Sequence, residues 1–172
     1  SNVIEAAKRA LETGHTKYTP ASGLMELKEA VCERMQADCG ISFKPSNVLI
    51  ASGAKHNLFI AFSVLLDTGD EVVLPAPFWV SYEEMIRMCG GVPVSVKTNA
   101  QRGFDLDVSA IAEAVTDKTK AIVCVNPGNP TGTILTEEEI KLILDIAKEN
   151  DLWVIADEVY REFAYDGRKI TS

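Results

Sequence analysis

The sequence is poor in the groups from which metal sites and disulfide frameworks are built. Its 172 residues include only four cysteines and two histidines. Cys32, Cys39, Cys89 and Cys124 form no C-x-x-C pair and no Cys/His cluster at zinc-finger spacing. All four read as reduced thiols serving mainly as small core residues, and no metal is expected. His15 and His56 stand in no Ser-His-Asp pattern and read as structural or solvated. Basic charge is also short. Lys and Arg number 17 against 25 Asp and Glu, a net charge of −8, which argues against a nucleic-acid partner. No apolar run reaches the roughly 18 residues of a membrane-spanning helix, and the N-terminus lacks the layout of a secretion signal. No membrane partner is expected, and a cytoplasmic place is. Repeats, low-complexity tracts and Pro/Ser-rich linkers are missing too, so the chain reads as one unit.

What is present is the balance of an ordinary globular protein, 47% apolar and 24% charged. Apolar periodicity predicts helices over 3–12 and 24–38, the second with Leu24, Leu27, Val31 and Met35 on one face. The turn-rich string KYTPASG, Lys17 to Gly23, separates them. Five short runs rich in Val and Ile follow, VLIAS (48–52), EVVLP (71–75), VPVSV (92–96), AIVCV (121–125) and LWVIA (152–156). Nearly continuous apolar runs of this length are expected of strands covered on both faces. Helix patterns fall at 54–66, 79–89, 108–115 (Val108, Ile111, Ala112 and Val115 inward) and 137–149. The last begins with a capping box, Thr136 and Glu139, and carries the stripe Ile140, Ile143, Leu144, Ala147. Alternating strands and helices imply right-handed crossovers and a mostly parallel sheet with helices on both faces, an α/β fold.

Ligands of such sheets sit beyond the carboxyl ends of the strands, where four strings stand out. Ser52-Gly53-Ala54-Lys55 passes from strand to helix through a glycine, leaving N–H groups and the positive helix end able to cradle a phosphate. It also matches S-x-x-K, but no S-D-N follows and Lys97-Thr98-Asn99 departs from K-T-G. In P-A-P-F-W, Trp79 can cover a planar ligand or simply pack in the core. Asn126-Pro127-Gly128-Asn129-Pro130-Thr131-Gly132 is a stiff, sharply turned loop, suited to presenting an amide to a fixed oxygen. Asp157 follows LWVIA without a break, a carboxylate at the inner end of an apolar strand, where an edge position fits poorly and burial demands a partner. Tyr160 can face the same cleft or pack against the helix layer.

Taken in order, KYTPASG, SGAKHNLF, P-x-P-x-W-V-S-Y, NPGNPTG and ADEVY resemble the pyridoxal-phosphate-dependent aminotransferases of fold type I, especially the bacterial aspartate aminotransferase group, from about Asn2 to the C-terminus. The resemblance implies the cofactor pyridoxal 5′-phosphate. Its phosphate would lie on Gly53, Ala54 and Lys55, and Trp79 would stack on its ring. Asn129 and Tyr160 would bond the ring oxygen, Asp157 would face the ring nitrogen, and Tyr18 would reach the phosphate of a neighbouring subunit in a homodimer. Asp157 and Tyr160 would be the catalytic pair of this chain. Lys55, Trp79 and Asn129 would also meet the substrate, with Lys55 favouring a dicarboxylic amino acid such as aspartate and its 2-oxo acid, or else facing solvent.

The pattern also has departures. The lysine by which the family carries its cofactor covalently should follow ADEVY at a greater distance than the chain extends; Lys169 is too close and lacks the serine-rich context. The arginine that grips the substrate α-carboxylate is expected further on still. Residues 1–172 are therefore expected to be a partial cofactor-binding large domain, inactive alone, with an incomplete sheet whose missing strands would separate 48–52 from the rest. Other fold type I reactions, carbon–sulfur lysis or decarboxylation, and a non-catalytic binding domain on the same scaffold remain alternatives.

Overall fold

The computed structural model describes residues 1–168 and 170–172; Lys169 lies outside the described residues. The chain divides into two compact units, Ser1–Gly53 and Ala54–Ser172, a division that no linker composition announces.

The first unit is helical. Helix α1, Asn2–Glu12, is capped by the Ser1 hydroxyl accepting from Ile4 N–H, and none of its residues is buried. Helix α2, Met25–Cys39, ends on Gly40 in the left-handed conformation. Its expected apolar face is not the buried one: Leu24 and Leu27 are about half exposed, and the buried residue of the helix is Lys28, whose ammonium donates to Ser22 Oγ at 3.2 Å. Gly23 has φ +101°, and a Cβ there would stand 2.5 Å from the Ile50 side chain, so only glycine fits where the two segments meet.

VLIAS at 48–52 forms no strand, which corrects the sequence expectation. Val48 is extended, but the Ile50 N–H donates to the Ser22 carbonyl rather than to a neighbouring strand. Apolar, β-branched composition sets the local preference, and a ladder still needs a partner backbone.

The second unit is an α/β layer structure. Strands β1 (Glu71–Ala76), β2 (Val92–Lys97), β3 (Thr119–Val125) and β4 (Trp153–Asp157) form one parallel sheet in the order β2-β1-β3-β4. Helices α3 (Ala54–Leu65), α4 (Ser81–Met88), α5 (Val108–Glu113) and α6 (Glu137–Glu149) cover it. Strand side chains alternate between faces, and the core divides accordingly. Val72, Leu74, Ala121 and Val123 pack with Leu58, Phe62, Tyr82 and Ile86 of α3 and α4. Val73 and Ile122 pack on the other face with Ile111, Ile143 and Ala147 of α5 and α6. Fully burying side chains of this size contributes roughly 1.5–3 kcal/mol each, so the two layers carry most of the unit's stability.

Two details differ from the expected pattern. Helix α5 turns Ile111, Ala110 and Ala114 to the core and leaves Ala112 exposed, because it is one short turn and a half whose N-cap, Asp107 bonding Ala110 N–H, sets its rotation. Strand β4 is the last strand of the sheet that the described residues form, with Trp153 exposed, although LWVIA reads as a central strand; Val154 packs toward the α5–α6 layer and Ile155 toward the α3–α4 layer. The α6 capping box forms as expected, Thr136 Oγ1 accepting from Glu139 N–H while Glu139 accepts from Thr136 N–H. None of the four cysteines forms a disulfide among the described residues. Among the described residues no helix is long and apolar enough to cross a membrane, and no cluster of metal-ligating side chains occurs.

Candidate functional site

The chain leaves β1 toward β2 and leaves β3 in the opposite direction toward β4. Right-handed crossovers in opposite directions put their helices on opposite faces, as α4 and α6 are, and the loops after β1 and β3 diverge and open a crevice. The strings singled out in the sequence lie at that end of the sheet. A cavity of about 230 Å³ is lined there by Ala54, Lys55, Leu58, Trp79, Tyr82, Val125, Asn129, Asp157, Val159 and Tyr160. Six of these, Ala54, Lys55, Trp79, Asn129, Asp157 and Tyr160, are the expected site residues of this unit, gathered from four separate loops.

Asp157 is buried, 8% exposed. Its carboxylate is held from two sides. The Tyr82 hydroxyl donates to Oδ2 at 2.6 Å, and the Val159 N–H donates to Oδ1 at 3.1 Å, an Asx turn that the Asp supplies to its own loop. No ion pair of the described residues includes Asp157. Burial, followed by the hydrogen bond and the negative charge of Asp157, pushes the Tyr82 phenol well above its ordinary range, so Tyr82 stays a neutral donor.

Trp79 is half-buried and meets Tyr82 edge to face, centroids 5.6 Å apart and planes at 87°. The Lys55 ammonium lies over its ring, 4.6 Å from the centroid, within cation–π range. Asn129 stands in a loop tied to itself. Gly128 N–H donates to Thr133 O and Gly132 N–H to Gly128 O, and a Cβ on Gly128 would meet Thr131 Oγ1 at 2.8 Å. The Asn126-Pro127 and Asn129-Pro130 peptides are both cis. Tyr160, 40% exposed, packs edge-on against Phe163 at 6.3 Å.

Gly53, with φ +86° and open space around it, and Tyr18, wholly exposed, belong to the first unit and are not among the residues lining this cavity.

Two residues that matter here were not singled out from the sequence. Tyr82 lies three positions after Trp79, across the turn that leads into α4 and in which the Tyr82 N–H donates to the Trp79 carbonyl, a spacing visible in the string W-V-S-Y. Asn126 is buried. Its Oδ1 accepts from Leu135 N–H at 3.0 Å and its Nδ2 donates to Thr171 O at 3.2 Å, closing the NPGNPTG loop. That role depends on groups 9 and 45 positions away and has no local signal.

Comparison with known proteins agrees with this geometry. The family model described as aminotransferase class I and II matches residues 1–172. Aspartate aminotransferase of Bacillus subtilis is 43% identical over 171 residues, 99% of this chain and 44% of that protein. Among solved structures, aspartate aminotransferase from Thermus thermophilus with maleate superposes with a TM-score of 0.93 at 41% identity, covering 98% of this chain and 44% of that one. The aromatic aminotransferase from Pyrococcus horikoshii does so with a TM-score of 0.94 at 40% identity, covering 99% and 46%. The chain thus spans less than half the length of the relatives it matches. It belongs to the class I and II aminotransferase family.

Proposed function

We propose that this chain is the cofactor-binding large-domain part of an enzyme that uses pyridoxal 5′-phosphate to move an amino group between an amino acid and a 2-oxo acid. One observation carries the reading: a buried carboxylate, Asp157, with two hydrogen-bond donors and, among the described residues, no cation partner, faces a cavity walled by an indole. A carboxylate so placed suits the N–H of a protonated heterocycle, and a cavity with an aromatic wall suits its flat ring.

When bound, the cofactor supplies an electron sink for the charge left as the substrate carbon loses its proton. The roles of the chain's own residues follow. Asp157 would hold a proton on the ring nitrogen, which would make that sink effective. Trp79 would cover the ring. Asn129 and Tyr160 would donate to the ring oxygen and favour its anionic form. Ala54 and Lys55 open α3, where the first N–H groups have no intrahelical partner and the helix dipole favours an anion, so with Gly53 just before them they would take the phosphate. Asp157 and Tyr160 are the catalytic residues of this chain under that reading.

Lys55 is the cation at the mouth of the cavity, and it supports a dicarboxylic substrate, aspartate first, whose far carboxylate it would attract. The maleate bound by the Thermus relative is a dicarboxylate too. The aromatic specificity of the Pyrococcus relative favours a second reading in which Lys55 turns aside and Trp79 meets an aromatic side chain. Full exposure of Tyr18 supports a homodimer in which it reaches the partner's phosphate.

The test is to add pyridoxal phosphate to the full-length protein, follow its visible absorbance, and assay transfer from aspartate to 2-oxoglutarate against transfer from phenylalanine. A bound chromophore with aspartate preferred supports the reading. No chromophore overturns the cofactor, and phenylalanine preferred overturns the dicarboxylic assignment.

A further inference from the structure

Tyr82 touches both walls of the cavity at once. Its ring meets Trp79 at near right angles and its hydroxyl grips Asp157 Oδ2 from 75 positions away. The side chain is 1% exposed and packed into the α3–α4 core layer, so its own position has little freedom. Asp157 needs such an anchor. Its remaining contact, the Val159 N–H, is local and moves with it.

We infer that Tyr82 is a positioning residue, a clamp that couples α4 to the end of β4 and sets the direction of the Asp157 carboxylate and the tilt of the Trp79 indole together. The inference rests on the functional reading above for its consequence, namely that the grip on the ring nitrogen and the stack on the ring face are set by one side chain. Tyr82 on Oδ2 and the Val159 N–H on Oδ1 together fix the carboxylate plane, and each oxygen keeps a second lone pair for a ring N–H. Without the hydroxyl only the local Val159 contact remains and the rotamer is released.

The experiment uses Y82F, D157N and the double variant in the full-length protein. Phenylalanine keeps the ring and hence the fold and the Trp79 contact. The first readout is structural and needs no cofactor: crystal structures of the cofactor-free wild type and Y82F. The expected result is one Asp157 rotamer in the wild type and a second one populated in Y82F; an unchanged single rotamer would overturn the clamp. The second readout is pyridoxal phosphate affinity by equilibrium titration. Y82F should weaken it about tenfold when Asp157 is present and less than twofold in the D157N background. Equal losses in both backgrounds would mark general damage and overturn the positioning role. If the wild type binds no pyridoxal phosphate at all, the functional reading fails, and the rotamer comparison alone upholds or overturns the clamp. Y82L, which removes the ring as well, should in addition red-shift Trp79 fluorescence, whereas Y82F should not; no shift in Y82L would overturn the Trp79 half of the inference.

Discussion

The Lys55 ammonium rests 4.6 Å above the centre of the Trp79 ring, so the cation at the cavity mouth is stacked on the surface that a planar ligand would use. Such a contact contributes about 0.5–1 kcal/mol when exposed, little enough for a ligand to displace it. Replacing Lys55 by Met should raise KM for aspartate tenfold or more with kcat changed less than threefold, and leave neutral amino acids unaffected. Steady-state kinetics with aspartate and alanine checks this; a matched rise for both donors would show that Lys55 does not read the far carboxylate.

Asp157→Asn preserves shape while removing the charge. A hydrogen bond to a charged group contributes about 1.5–3 kcal/mol, so cofactor affinity should fall by roughly 10- to 100-fold, with Tm changed only by a few degrees because the amide still meets Tyr82. Titration and calorimetry on the same samples separate the two effects. Unaltered affinity would remove Asp157 from the cofactor's partners.

Asn126→Ala should loosen the loop that carries Asn129. The Leu135 N–H would lose its acceptor in a buried place, at a cost of about 1–3 kcal/mol. Urea unfolding should show that loss, and limited proteolysis should cut within 126–133 in the variant earlier than in the wild type.

Stability should fall in alkali for a nameable reason. Burial pushes the Cys124 thiol up to about 12, while in the unfolded chain a thiol ionises near ~8.5. Above that value the unfolded state has released the proton and the folded state has kept it, so the unfolded state binds fewer protons and stability drops as pH rises. The contribution is complete below about 8.5 and is lost progressively toward about 12. Tyr82, also raised, adds to the slope from roughly 10 upward. Urea midpoints measured from pH 8 to 10.5 should fall in the wild type and fall less steeply in C124A; parallel slopes would contradict the assignment.

Much of this was legible from residue order. The capping box placed α6 to the residue, because Thr136 and Glu139 interact within one turn. The runs at 71–75, 92–96, 121–125 and 152–156 became strands because both faces or one face of each found a helix layer. VLIAS had the same composition but pairs with no strand among the described residues, since pairing partners are a property of the whole sheet and not of the run. Within the cavity, the charged and aromatic groups on strand ends could be named in advance. Tyr82 and Asn126 could not, because each acts through a bond that exists only after distant segments have met.

Apart from Leu58 and Tyr82, which also belong to the core, the groups that touch the cavity project from strand ends, loops and the start of α3, whereas Phe62, Val73, Ile122 and Ile143 lie beneath in the two hydrophobic layers. Selectivity and robustness are therefore separable properties in this scaffold. Under the proposed function, exchanging rim positions such as Lys55 would alter donor choice while the supporting layers tolerate the change, and a stabilised core would offer a starting point for directed evolution.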